Sequence, residues 1–181
     1  VKNSKAKGNG FELTVAKMFT EWSGHKFMRT PMSGAIHNFN DKRVISDIVP
    51  PLSVGEFPFS IECKNQEVPW DLDFILIGTS KIWEFWEQAS GDAKSENLEP
   101  LLVFKKNFRQ IYAAMETDVF ILLFRNKEKP HHISITREKG LREECKKNIT
   151  IMSFNELLLQ CSLDDFLELR KILVSRNTEK C

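Results

Sequence analysis

The stretch that most restricts the fold runs from Arg43 to Lys64, RVISDIVPPLSVGEFPFSIECK, because it places charge where a buried strand wants none. In its second half Phe57, Phe59, Ile61 and Cys63 alternate with Pro58, Ser60, Glu62 and Lys64. A period of two predicts a strand and puts Glu62 and Lys64 side by side on one face. Residues 44–49 read as a preceding strand, apolar except for Ser46 and Asp47, with Pro50, Pro51, Ser53 and Gly55 making the turn between the two. Folding back brings Asp47 near Glu62. Two carboxylates in one place repel and resist desolvation unless one is protonated or a divalent cation lies between them. The neighbouring lysine favours the cation. A hard ion such as Mg2+ takes oxygen ligands, and an ammonium orients water or offsets charge developing on a phosphate. The pattern points to phosphodiester hydrolysis.

An acid two residues before a lysine recurs at Asp92 with Lys94 and at Glu144 with Lys146. The first falls in a helical pattern and the second in a charged segment without alternation, so both are expected on solvated surface. For Glu62 and Lys64 the plain alternative is an exposed ion pair on an edge strand, which is common and worth little.

A chain of 181 residues with 41% hydrophobic content is large enough for one domain with its own core. The net charge of +1 gives no global attraction to nucleic acid, but the charge is unevenly spread. Residues 51–100 are strongly acidic and are flanked by basic segments on both sides, as suits a metal site bordered by phosphate-binding surface. Cys63, Cys145, Cys161 and Cys181 lack paired zinc spacing and read as free thiols in a reducing compartment. The longest apolar run, 119–124, is far too short to span a bilayer, and the basic, polar start has no secretory pattern. A cytoplasmic protein without a membrane partner is the expectation.

Phe11, Val15, Met18, Phe19 and Trp22 predict an amphipathic helix over 4–22, closed by Gly24. Glu12 sits at the edge of its apolar stripe, where a boundary glutamate is the simpler reading. Lys5 and Lys7 precede it as possible phosphate contacts. The loop RTPMSGAIHNFNDK follows, offering Arg29, Ser33, Lys42 and Arg43 to a DNA strand; His37 has no visible partner. A second helix is expected over 80–96 with Gln88 on its flank, then strands at 101–104, 111–114 and 119–124. The turn between the first two of these, Lys105 to Arg109, embeds Phe108 among basic residues and reads equally as a backbone-binding element or a solvated loop. Residues 126–147, with His131 and His132, look like basic surface. A strand at 149–152 and helices at 154–160 and 163–174 complete the chain, the last with Ser162 and Asp165 in a capping box. The nuclease-like core is set at 1–125, and 126–181 is expected to pack on it within a single domain.

Taken together, GNGFE with Glu12, RTPMSGA, SDIV with Asp47, FSIECK with Glu62 and Lys64, and WEQA with Gln88 resemble the PD-(D/E)XK nuclease superfamily, specifically Holliday-junction resolvases of the archaeal and phage type. Ser46 stands where the superfamily name has proline, without removing a ligand. The resemblance implies an α/β, restriction-endonuclease-like fold: a mixed central β-sheet flanked by α-helices. It implies that Asp47, Glu62 and the carbonyl of Cys63 bind Mg2+, which Mn2+ would replace. Lys64 would position or activate the attacking water, and Glu12 would complete the metal site or hold one of its waters. Ser33 would lie near the scissile phosphate and Gln88 would support the site from its helix. The implied activity is a homodimeric, structure-selective endonuclease cutting branched duplex DNA to 5′-phosphate and 3′-hydroxyl ends. Two rivals stand beside it: a general or repair and replication nuclease of the same fold, and a non-catalytic DNA-binding protein that keeps the fold.

Overall fold

Phe11, Val15 and Phe19 recur every four residues, and the helix they predict forms as α1 (Ser4–Ser23) with all three buried. It ends at Gly24, where φ of 72° turns the chain and the Gly24 N–H bonds the Thr20 carbonyl at 3.0 Å. The computed structural model describes residues 4–30, 46–66, 80–106, 108–138 and 146–178. Within them β1 (Met28–Arg29), β2 (Ile48–Val49), β3 (Phe59–Asn65), β4 (Glu99–Lys105), β5 (Tyr112–Glu116), β6 (His132–Glu138) and β7 (Lys146–Ser153) form one sheet in the order β1-β2-β3-β4-β5-β7-β6.

The two strands expected to fold back on each other do so as β2 and β3, antiparallel with Ile48 opposite Ile61. Between them lies a single 3-10 turn, Leu52–Val54, that closes on Gly55 at φ 75°. Among the described residues β3 and β4 are the one parallel pair in the sheet. Parallel neighbours need a crossover, and α2 (Ile82–Ser95) lies in that connection. Alternate residues of β4 divide the core. Leu101 and Val103 join α1 and the C-terminal helices on one face, while Leu102 and Phe104 join Trp83, Phe85 and Trp86 of α2 on the other. The result is the mixed sheet with helices on both faces that the sequence predicts.

Residues 119–124, expected as a strand, lie instead in and just after α3 (Thr117–Leu123). A short, wholly apolar run has no periodicity by which to choose. Helical spacing buries Val119, Phe120, Leu123 and Phe124 and leaves Ile121 49% exposed. The basic stretch 126–147 also needs correction. Its described residues 126–137 are largely solvent-facing, as expected, but 132–138 forms β6 on the outer edge of the sheet, backbone-paired to β7 from His132↔Met152 to Glu138↔Lys146, while 139–145 lie outside the described residues. One exposed face and one exposed edge leave little hydrophobic alternation to read.

α4 (Phe154–Gln160) starts on Ser153, whose hydroxyl accepts from the Glu156 N–H. α5 (Leu163–Thr178) starts on the predicted capping box: Asp165 accepts from the Ser162 N–H at 2.6 Å while Ser162 Oγ accepts from the Asp165 N–H. Phe166 of α5 packs on Phe57, Phe59 and Trp22, and the Trp22 indole donates to the Cys161 carbonyl at 2.7 Å. Phe166 is fully buried, a burial worth roughly 2–3 kcal/mol for a side chain of this size. Cys63 and Cys161 are free and buried; Cys145 and Cys181 lie outside the described residues. Among the described residues no helix is long and apolar enough to cross a membrane.

Candidate active site

β3 does what its alternation requires. Ile61 and Cys63 face α1, and Glu62 and Lys64 face α2, where the side chain of Gln88 meets both. Lys64 Nζ is ion-paired to Glu62 and donates to Gln88 Oε1 at 2.9 Å. Gln88 Nε2 donates to Glu62 Oε1, also at 2.9 Å. The two bonds to Gln88 fix the orientation of its amide, with its oxygen toward the ammonium and its nitrogen toward the carboxylate. The Lys64 ammonium also lies 5.9 Å from the centroid of the Phe85 ring. Gln88 thus bridges the two charged side chains of β3 from its helix.

Asp47 arrives from the bend before β2. Its backbone N–H bonds the Ile61 carbonyl at 2.9 Å, and its Oδ2 accepts from the Cys63 N–H at 2.8 Å. The carboxylate is therefore pinned against the backbone of β3 next to Glu62. Both acids are buried. Burial, then the charge of Asp47, pushes the Glu62 carboxyl up to about 7, against the opposing pull of Lys64. The Cys63 thiol is pushed well above its ordinary range by burial and then by Asp47, Glu62 and Glu12. Three carboxylates act on one strand residue.

Glu12 is buried at 8% exposure rather than solvated at a helix boundary. The reason is tertiary: Arg29 of β1 donates to its Oε2 and, through a second nitrogen, to Asn9 Oδ1 at 2.9 Å. Arg29 was expected at a phosphate, and its guanidinium is instead engaged with α1. Lys5 and Lys7 lie in the opening turns of α1. Ser33, Lys42 and Arg43 fall outside the described residues, as does His37.

Asp92 corrects a further expectation. It is not a free surface acid but stands one turn beyond Gln88 on α2, where it accepts a hydrogen bond from Gln88 and its charge acts on Glu62. Burial raises its carboxyl, and Lys64 and Gln88 pull it back. The i, i+4 spacing from Gln88 was the signal that would have found it.

Among the described residues no group of three or more His, Cys, Asp or Glu side chains converges as a metal cage. The pair of Asp47 and Glu62 nevertheless fits Mg2+, which typically uses one or two carboxylates and fills its remaining positions with water and substrate oxygens. Burial first and the like charge of Asp47 second raise the Glu62 carboxyl, and a cation between the two acids would offset both.

Residues 3–168 match the family described as "Phage putative PDDEXK endonuclease". The chain is 28% identical over 119 residues to Protein D14 of Escherichia phage T5, a span covering 64% of this chain and 72% of that protein. Among solved structures it is similar to the Holliday junction resolvase Hjc of Archaeoglobus fulgidus, at 14% identity and a TM-score of 0.37, covering 86% of this chain and 91% of that one. With residues 3–168, nearly its whole length, inside the family match, the chain belongs to the phage PDDEXK endonuclease family.

Proposed function

We propose that the protein is a Mg2+-dependent, structure-selective DNA endonuclease that resolves four-way junctions, acting as a homodimer. The supporting observation is the surplus of buried negative charge around Glu62, organised by Lys64 and Gln88, in a member of an endonuclease family. Asp47 and Glu62 hold the cation, with the Cys63 carbonyl beside them, and Mn2+ substitutes for Mg2+. When bound, the cation supplies charge neutralisation and polarisation at the scissile phosphate. Lys64 orients the attacking water and offsets charge developing on the phosphoryl oxygens, held in place by Gln88 Oε1. Glu12, anchored by Arg29, completes the metal site or holds one of the cation's waters. Ser33, Lys42, Arg43, Lys5 and Lys7 contact the DNA backbone. The choice of a branched substrate rests on the resolvase-type order of motifs from GNGFE to WEQA.

The experiment is cleavage of an end-labelled panel of matched sequence: four-way junction, flap, linear duplex and single strand, with Mg2+, with Mn2+ and with EDTA. Paired symmetric nicks in the junction, lost in EDTA and in Asp47→Asn, are expected. Metal-dependent cutting of every substrate would keep the nuclease and remove the junction preference. Binding without cutting would replace the enzyme with a DNA-binding protein.

A further inference from the structure

The turn between β4 and β5 presents an aromatic ring to solvent in a conformation that resists it. Phe108 is 103% exposed, the most exposed large hydrophobic side chain among the described residues, and its φ is 57°. The left-handed region is uncommon for residues other than Gly, Asn and Asp, and a bulky side chain there is an outlier. The Arg109 N–H bonds the Lys106 carbonyl at 3.1 Å, closing a tight turn whose positive-φ position ordinarily takes Gly or Asn. Neither core packing nor turn geometry accounts for phenylalanine at this position.

Its surroundings suggest what does. Lys105, Lys106 and Arg109 flank the ring in sequence. The parallel register sets Lys64 opposite Phe104 and Asn65 opposite Lys105, so the chain leaving β4 emerges at the same end of the sheet as the catalytic lysine. Lys105 Nζ also sits 5.0 Å from the centroid of Phe11, the residue next to Glu12. The turn therefore lies at the end of the sheet where Lys64 and Asn65 emerge, with Lys105 reaching the helix that carries Glu12.

We propose that Phe108 stacks on an unpaired nucleobase of the bound DNA, at a gap or branch point, while Lys105, Lys106 and Arg109 engage the flanking phosphates. This rests on the nuclease reading and adds to it the feature of the substrate that is sensed. Every base has a face on which a ring can stack, whatever its identity, and nearby cations supply the backbone attraction. A base within continuous duplex is already stacked on both sides, so the ring selects discontinuities without reading sequence. A protein partner fits less well, since lysine is depleted at the centres of protein interfaces.

The test compares the wild type, Phe108→Ala and Phe108→Trp in Ca2+, on duplexes carrying 2-aminopurine either unpaired at a gap or branch, or paired within continuous duplex. The expected result is an unpaired-base fluorescence change with the wild type. Phe108→Ala should bind the discontinuous DNA roughly ten-fold more weakly, with less than two-fold effect on continuous duplex. Phe108→Trp should restore both signal and affinity. Unchanged affinity and fluorescence in Phe108→Ala would overturn the proposal, and so would an equal loss on all DNAs. Wild-type cleavage in Mg2+ is measured in parallel: cutting without any Phe108 effect removes the stacking role alone, whereas neither binding nor cutting removes the nuclease reading with it.

Discussion

Glu62 with Lys64 on β3 and Asp165 with Lys127 at the start of α5 are two contacts of the same chemistry, each a direct lysine–carboxylate ion pair. Their acids shift in opposite directions. Burial is the first influence on both and raises both. At Asp165 it is overcome by hydrogen bonds from Lys127 and from the Ser162 backbone and hydroxyl, which hold the carboxyl below its ordinary value. At Glu62 the neighbours Asp47 and Asp92 add negative charge, and one lysine does not cancel it. The first pair is a closed cap that satisfies a helix end. The second is an unbalanced cluster that gains from a further cation. A lysine beside an acid therefore says little about function; the surplus of acid around it says more.

The largest contrast should come from neutralising one acid in each cluster. Asp47→Asn is expected to lower cleavage by roughly a thousand-fold while leaving DNA binding largely intact, measured in single-turnover assays with an electrophoretic binding control. Asp165→Asn should leave cleavage untouched. If it too abolished cutting, the two pairs would not be distinct.

The lysines sharpen the same point. Lys64→Ala should reduce turnover by about a hundred-fold with little change in DNA affinity, whereas a loss confined to affinity would make Lys64 a phosphate contact. Lys127→Ala should leave both unchanged and lower unfolding stability by about 1 kcal/mol, a figure discounted for its partial exposure.

The opposite shifts predict opposite pH behaviour. A carboxyl raised to about 7 in the fold contributes stability that is fully present below its ordinary value of 4.5 and lost as pH rises through 7. In metal-free protein, Glu62→Gln should remove this dependence and raise stability at pH 8 by roughly 2 kcal/mol in urea titrations. Asp165, lowered in the fold, stabilises above its ordinary value of 3.8 and stops doing so as pH falls through its folded value, so Asp165→Asn should flatten the acid limb. Stability of Glu62→Gln identical to wild type at pH 8 would remove the surplus-charge account.

The smallest effect is assigned to Asp92. Asp92→Asn should reduce turnover several-fold by loosening the orientation of the Gln88 amide, with no change in substrate affinity. Full turnover would show that Gln88 is held well enough by Glu62 and Lys64.

Much of the site was legible because it depends on local periodicity. Alternation along 57–64 placed Glu62 and Lys64 together, the Pro-Pro turn placed Asp47 beside them, and the Ser162–Asp165 cap was visible three residues apart. What failed depended on distant partners. Glu12 sat on the boundary of a helical stripe, and its partner Arg29 lies 17 positions away. The run 119–124 had the composition of a strand, and its packing decided for a helix. The edge strand β6 is specified by pairing with β7 and carries little apolar pattern of its own.

The sequence by itself thus determined the elements whose side-chain period is strong and the identity of the charged groups on β3, because both follow from the geometry of a few consecutive residues. Tertiary structure alone decided how much negative charge is left unbalanced at Glu62, since that depends on burial and on Asp47 and Asp92 arriving from other elements. It also decided that the turn carrying Phe108 leaves the sheet at the end where Lys64 lies, because the parallel register of β3 and β4 joins segments some 40 residues apart.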